Sequence, residues 1–119
     1  MDSHEQALEL AELALGKKAE DLVILDLRRT SVGADFFLIC SGQSETQVRA
    51  IVDEIVEARK RLKRRVWRVE GYGAGRWALL DFVDVVVHVF HRETREYFAL
   101  EDLWGDVPSE RISEAGERS

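Results

Sequence analysis

The stretch from Glu70 to Phe90, EGYGAGRWALLDFVDVVVHVF, constrains the fold more than any other part of the chain. Three glycines, Gly71, Gly73 and Gly75, fall within six residues and leave a turn with little bulk and access to positive φ. A Trp-led apolar run follows, then an acidic break, then a run rich in valine. Asp81 and Asp84 bracket that break, where a short carboxylate bonds backbone amides two residues on. Two β-prone runs joined this tightly predict an antiparallel hairpin in the middle of a sheet. Alternation puts Leu80, Val85 and Val87 towards a core and leaves Trp77, Leu79 and Asp81 looking outward.

The rest of the chain arranges itself around that hairpin. Residues 3 to 17 read as an amphipathic helix, with Ser3 as N-cap and Gly16 beside Lys17 and Lys18 at its end. Leu22 to Leu27 and Phe36 to Cys40 are short, nearly continuous apolar runs, which predicts strands covered on both faces. Arg28 to Asp35 is a polar connection between them. Ser44 and Gln47 have capping-box spacing, and the helix they open runs to about Leu62 with Val48, Ile51, Val52, Ile55, Val56 and Arg59 at helical period. Arg65 to Glu70 alternates as a half-wet edge strand does. A last helix is expected from about Arg92 to Leu103, with Tyr97, Leu100 and Trp104 at helical spacing. The order α-β-β-α-β-β-β-α predicts one α/β (α+β) domain over 1–106, a mixed sheet of about five strands packed with helices. Residues 107–119 lack an apolar period and are expected to form a disordered acidic tail.

Composition narrows the partners. A chain of 119 residues, 45% apolar and 34% charged, suits a single soluble globular domain. Its net charge of −6 speaks against DNA or an anionic membrane and for a basic protein partner. The single cysteine permits no internal disulfide, and the acidic N-terminal residues do not form a signal peptide, so a cytoplasmic location is expected. Against this acidic balance, Arg59 to Arg68 holds seven cations and no acid. One reading is a phosphate or RNA contact through Arg61, Lys63, Arg64 and Arg65 with Trp67 available for stacking. The other is a helix end that complements the macrodipole, followed by a solvated edge strand.

Enzymatic constellations do not emerge. Asp84 and His88 share a strand face but stand roughly 13 Å apart, whereas metal ligands sit within about 2 Å of the ion. His91 has the opposite parity, so neither metal nor cofactor is expected. Cys40, inside FFLIC, reads as a small buried hydrophobe. The D-x-x-D spacing of Asp81 and Asp84 does not put both carboxylates on one face, as two-metal phosphoryl transfer requires. Trp77, beside Arg76 and behind a glycine turn, has the composition of an interface anchor, although a core tryptophan gives the same pattern.

AEDLVILDLR (19–28), SVGADFFLICSGQSETQVRAIVDEI (31–55) and EGYGAGRWALLDFVDVVVHVFHRETREYFALEDLWGD (70–106) together resemble the ribosomal silencing factor family, also called Iojap-like. The A-D-F-F strand, G-R-W-x-L-L-D, D-V-V-V-H and L-E-x-L-W-G-D carry the resemblance, which stops at Asp106. It implies a nucleotidyltransferase-like topology without the catalytic site, in a translation factor that is not an enzyme. Members bind the large ribosomal subunit through ribosomal protein L-fourteen and block joining of the small subunit when nutrients are scarce. The contact residues it implies are Arg76, Trp77, Leu79, Asp81, Asp84, His88, Tyr97, Leu100, Glu101 and Trp104. Tyr97 and Trp104 serve equally well as core residues under the last helix. The alternatives are a nucleotidyltransferase-like enzyme and a direct rRNA-binding assembly factor. A peripheral rRNA contact fits beside the first reading, and the exposed edge and hairpin invite a homodimer when the protein is free.

Overall fold

The computed structural model describes residues 2–113, the side chains of Tyr97, Phe98, Leu100 and Glu101 excepted. Helix α1 spans Ser3–Leu15, strands β1 and β2 span Glu20–Asp26 and Phe36–Gly42, and helix α2 spans Glu45–Arg61. Strands β3 (Arg68–Glu70), β4 (Trp77–Asp81) and β5 (Val85–His91) follow, then α3 (Arg92–Phe98), a 3-10 turn over Leu100–Trp104, and β6 (Ser109–Ile112). They build one sheet in the order β3-β4-β5-β2-β1-β6. Only β2 and β5 are parallel; the other neighbours are antiparallel. The glycine-led hairpin is β4–β5, and both its strands are interior.

Both long helices lie on one face of this sheet. Ala7, Leu10, Ala11 and Ala14 of α1 and Val48, Ile51, Val52 and Ile55 of α2 pack on Ile24, Leu38, Leu80, Val85 and Val87. Three alanines in the α1 stripe let that helix lie close to the strands. Arg59 prolongs the α2 stripe and is only 2% exposed. Its guanidinium reaches Glu9 of α1 at 2.6 Å and lies over the Phe82 ring, so the buried charge is paired. Ser44 caps α2 by accepting from the Gln47 amide at 3.0 Å. The Gln47 side chain accepts from Gln43 and donates to the carbonyls of Lys17 and Lys18, tying the end of α1 to the start of α2.

Three expectations are corrected. Asp2, not Ser3, caps α1, because its carboxylate accepts from the Glu5 amide at 2.7 Å. Gly16 closes α1 as expected, in a right-handed conformation, and the left-handed residue beyond it is Lys18 with φ 62. The expected last helix breaks at Ala99, which is left-handed with φ 46, and continues as the 3-10 turn. The sheet has six strands, because the stretch after Asp106 contributes β6. Ile112 there is 7% exposed and enters the core beside Leu22, while Glu110 meets His4 of α1. Burial of Ile112, pairing along the β1 edge and the Glu110–His4 contact together hold a segment with no visible periodicity.

Candidate functional site

Among the described residues, no long helix lies on the opposite face of the sheet. In β4, Trp77, Leu79 and Asp81 are half-buried on this face, while Ala78 and Leu80 are buried on the other. Register extends the bare face across the sheet in rows. One row runs Glu70, Leu79, His88, Ile39, Val23, Arg111, and its neighbour runs Arg68, Asp81, Val86, Phe37, Leu25, Ser109. Val23, Leu25, Leu27, Ile39 and Phe90 form a second apolar cluster there, with Phe37, Trp77, Trp104 and Val107 half-covering it.

Trp77 stacks on Phe90 with ring centroids 4.8 Å apart. Phe37 stands between His88 and Trp104, edge-on to both, at 4.6 and 6.3 Å. A groove of about 280 Å³ opens beside them. Phe37, Leu79, Val86 and His88 are among its lining residues, with the 32–34 loop on one side and Arg68, Asp81 and Val83 on the other. Arg68 pairs with Glu70 at 3.0 Å and with Asp81 at 3.6 Å, so the groove's lining holds one cation and one acid, with Glu70 just outside it. A larger hollow of about 800 Å³ lies between the 28–30 turn and 106–108, lined by loop residues, among them Arg28, Arg29, Asp106 and Pro108.

His88 is 4% exposed. Its Nδ1 accepts from the Trp77 indole N–H at 3.1 Å, and burial pushes its pKa down to about 4. Nε2 therefore carries the proton of the neutral ring. It is buried and has no hydrogen-bond partner among the described residues, as is the indole nitrogen of Trp104.

The expected contact residues are only partly gathered here. Trp77, Leu79, Asp81, His88 and Trp104 share the bare face. Trp104 packs on the aromatic cluster and not under the helices. Arg76 lies off it and bridges Glu45 at the start of α2 to Glu93 of α3. Asp84 is an exposed turn residue whose carbonyl accepts from the amides of Asp35 and Phe36. The side chains of Tyr97, Leu100 and Glu101 lie outside the described residues. Asp81 accepts from the Val83 amide at 2.8 Å, the turn role its spacing predicts. His91 is the N-cap of α3, accepting from the Glu93 amide. Cys40 is buried in the core and its thiol is pushed up to about 12 by that burial. Phe37, Arg68, Val83 and Val86 of the groove were not foreseen. The alternation of β2 and β5 was visible, but their parallel pairing joins segments that sequence spacing does not link.

A mixed sheet with two helices on one face and a bare aromatic groove on the other is a small α+β domain that presents a surface. More particularly, the chain belongs to the ribosomal silencing factor family: the family model described as "Ribosomal silencing factor during starvation" matches residues 1–119, including the segment beyond Asp106. It is 48% identical over 108 residues to a ribosomal silencing factor of Halalkalibacterium halodurans, spanning 90% of this chain and 92% of that one. It is 34% identical to the mouse "Mitochondrial assembly of ribosomal large subunit protein 1", spanning 80% of this chain and 43% of the relative. A crystal structure of a Chromobacterium violaceum protein superposes with a TM-score of 0.84 at 30% identity, covering 88% of each chain.

Proposed function

We propose that the bare face docks on the large ribosomal subunit through ribosomal protein L-fourteen, and that the bound protein sterically blocks joining of the small subunit. The observation that carries this is the groove beside Trp77, Leu79 and Val86 on a sheet face that no long helix covers. Aromatic residues next to a half-desolvated groove are the usual energetic centre of a protein interface. The net charge of −6 suits a basic ribosomal protein, and acids such as Asp81 set on-rate and register more than total affinity. The name of the mouse relative points to the large subunit as well. The role is one of binding in the cytoplasm, without a catalytic step. Free of the subunit, the same face pairs two copies of the chain, so dimer and subunit compete for it.

Sedimentation with purified large subunits tests the reading. Leu79→Glu places a charge in the groove from a half-buried position, and it is expected to abolish co-sedimentation while leaving the fold intact. Trp77→Ala is expected to weaken binding by more than about 2 kcal/mol. Undiminished binding of both variants removes this face from the interface.

A further inference from the structure

We propose that the segment Lys60–Arg68 holds single-stranded RNA, with Trp67 as a stacking platform and Lys60, Arg61, Lys63 and Arg65 as phosphate contacts. The structure sorts the seven cations of this run into two groups. Arg59 is buried against Glu9, Arg64 lies 3.8 Å from Glu9, and Arg68 pairs with Glu70 and Asp81. These three are engaged with carboxylates of the domain itself, Arg59 in the core and Arg64 and Arg68 at the surface. Lys60, Arg61, Lys63 and Arg65 are exposed, and none pairs with a carboxylate among the described residues. Four free cations on one short segment of a chain whose net charge is −6 form a local field opposite in sign to the rest.

Trp67 supplies what a solvated charge run lacks. It is 68% exposed, a large apolar ring with little to pack on. Its backbone amide donates to the Asp81 carbonyl at 2.8 Å, which fixes the platform to the edge of the sheet. The Arg68 guanidinium lies over its ring, 5.2 Å from the centroid. A ring fixed in place and still largely exposed, beside free cations, is the arrangement that stacks an unpaired base while the phosphates are neutralised. A duplex keeps its bases stacked internally and makes no use of such a ring.

This surface adjoins the groove at Arg68 and Asp81, and RNA binding here does not require that the groove bind protein. If both hold, the protein meets a ribonucleoprotein surface, with protein in the groove and RNA alongside.

Fluorescence anisotropy with the full chain and a labelled oligo-uridine tests it, with an RNA duplex and polyglutamate of similar length as competitors. Wild type is expected to bind the single strand with a slope of log K against log salt of about −3, as four contacts give. Trp67→Ala is expected to weaken binding about ten-fold with little change in slope. Replacing Lys60, Arg61, Lys63 and Arg65 by Gln together is expected to flatten the slope. Urea unfolding of each variant confirms a native fold. Leu79→Glu is expected to keep full oligonucleotide binding, so its failure on large subunits reports on the groove alone. Absent binding at low salt, preference for the duplex or for polyglutamate, or indifference to both substitutions overturns the proposal.

Discussion

The indole N–H of Trp77 donates to Nδ1 of His88 diagonally across the β4–β5 ladder, at 3.1 Å, although register places His88 opposite Leu79. The bond fixes the histidine tautomer and leaves its other N–H buried without an acceptor among the described residues. It also locks the tryptophan ring over Phe90. Trp77 is thus part of the second apolar cluster as well as of the bare face, so its truncation mixes stability with affinity.

Those two effects are separable. Trp77→Phe keeps an aromatic ring for the stack on Phe90 and deletes the donor, so it is expected to cost about 1 kcal/mol, the net worth of one hydrogen bond. Trp77→Ala also empties half-buried volume and is expected to cost about 3 kcal/mol. Urea unfolding of both variants measures the difference. A Trp77→Phe variant as stable as wild type denies the bond any weight.

His88 predicts a specific acid dependence. Its folded-state pKa of about 4 lies below the ordinary value of 6.5, because burial disfavours the charged ring. Between those values the unfolded chain takes up a proton and the folded chain does not. Stability from this group is therefore complete above pH 6.5, falls as pH drops, and is lost by about pH 4. The loss is of the order of 3 kcal/mol. In His88→Asn, whose amide oxygen can still accept near the Nδ1 position, this component of the pH dependence is expected to vanish. An unchanged slope between pH 6.5 and 4 in that variant assigns it elsewhere.

The three glycines before β4 are not equivalent. Gly71 has φ 79, and a Cβ there meets the Trp77 carbonyl oxygen at 2.1 Å. Gly75 has φ 68, and a Cβ there lies 2.8 Å from the Arg49 guanidinium. Gly73 has open space and an ordinary φ. Gly71→Ala is expected to cost more than about 3 kcal/mol from strain and clash together, Gly75→Ala about 1–2 kcal/mol, and Gly73→Ala nearly nothing. Equal midpoints in a urea series across the three variants contradict this.

Much of this architecture is local, and the local part was legible. The Ser44 cap, the α2 stripe and the two faces of β4–β5 follow from spacings of a few residues. Alternation alone separates Trp77 and Leu79 from Leu80 and Val87. What sequence spacing does not carry is which segments meet. Phe37 and Val86 become neighbours through the parallel pairing of β2 with β5, across a crossover that contains α2, β3 and β4. β6 exists because Ile112 finds a place beside Leu22, a partner it cannot signal from within its own segment. Arg76 is the converse case. Its neighbour Trp77 is on the bare face, but Glu45 and Glu93 draw its own side chain elsewhere.

The tip of the β4–β5 hairpin stores strain where the groove begins. The Asp84 amide donates to the Phe82 carbonyl at 3.0 Å, closing a three-residue turn around Val83 at φ 73. A β-branched residue in that region is strained by about 1–3 kcal/mol. Val83 is 59% exposed, so little burial compensates. Val83→Gly relieves the strain at an entropic cost of about 0.5–1 kcal/mol, for a net gain near 1 kcal/mol. Because Val83 also lines the groove, the same variant is expected to bind large subunits more weakly while melting higher. Thermal unfolding and co-sedimentation of one protein preparation read both quantities. A lower melting temperature contradicts the strain, and unchanged subunit binding at a higher one leaves Val83 outside the interface.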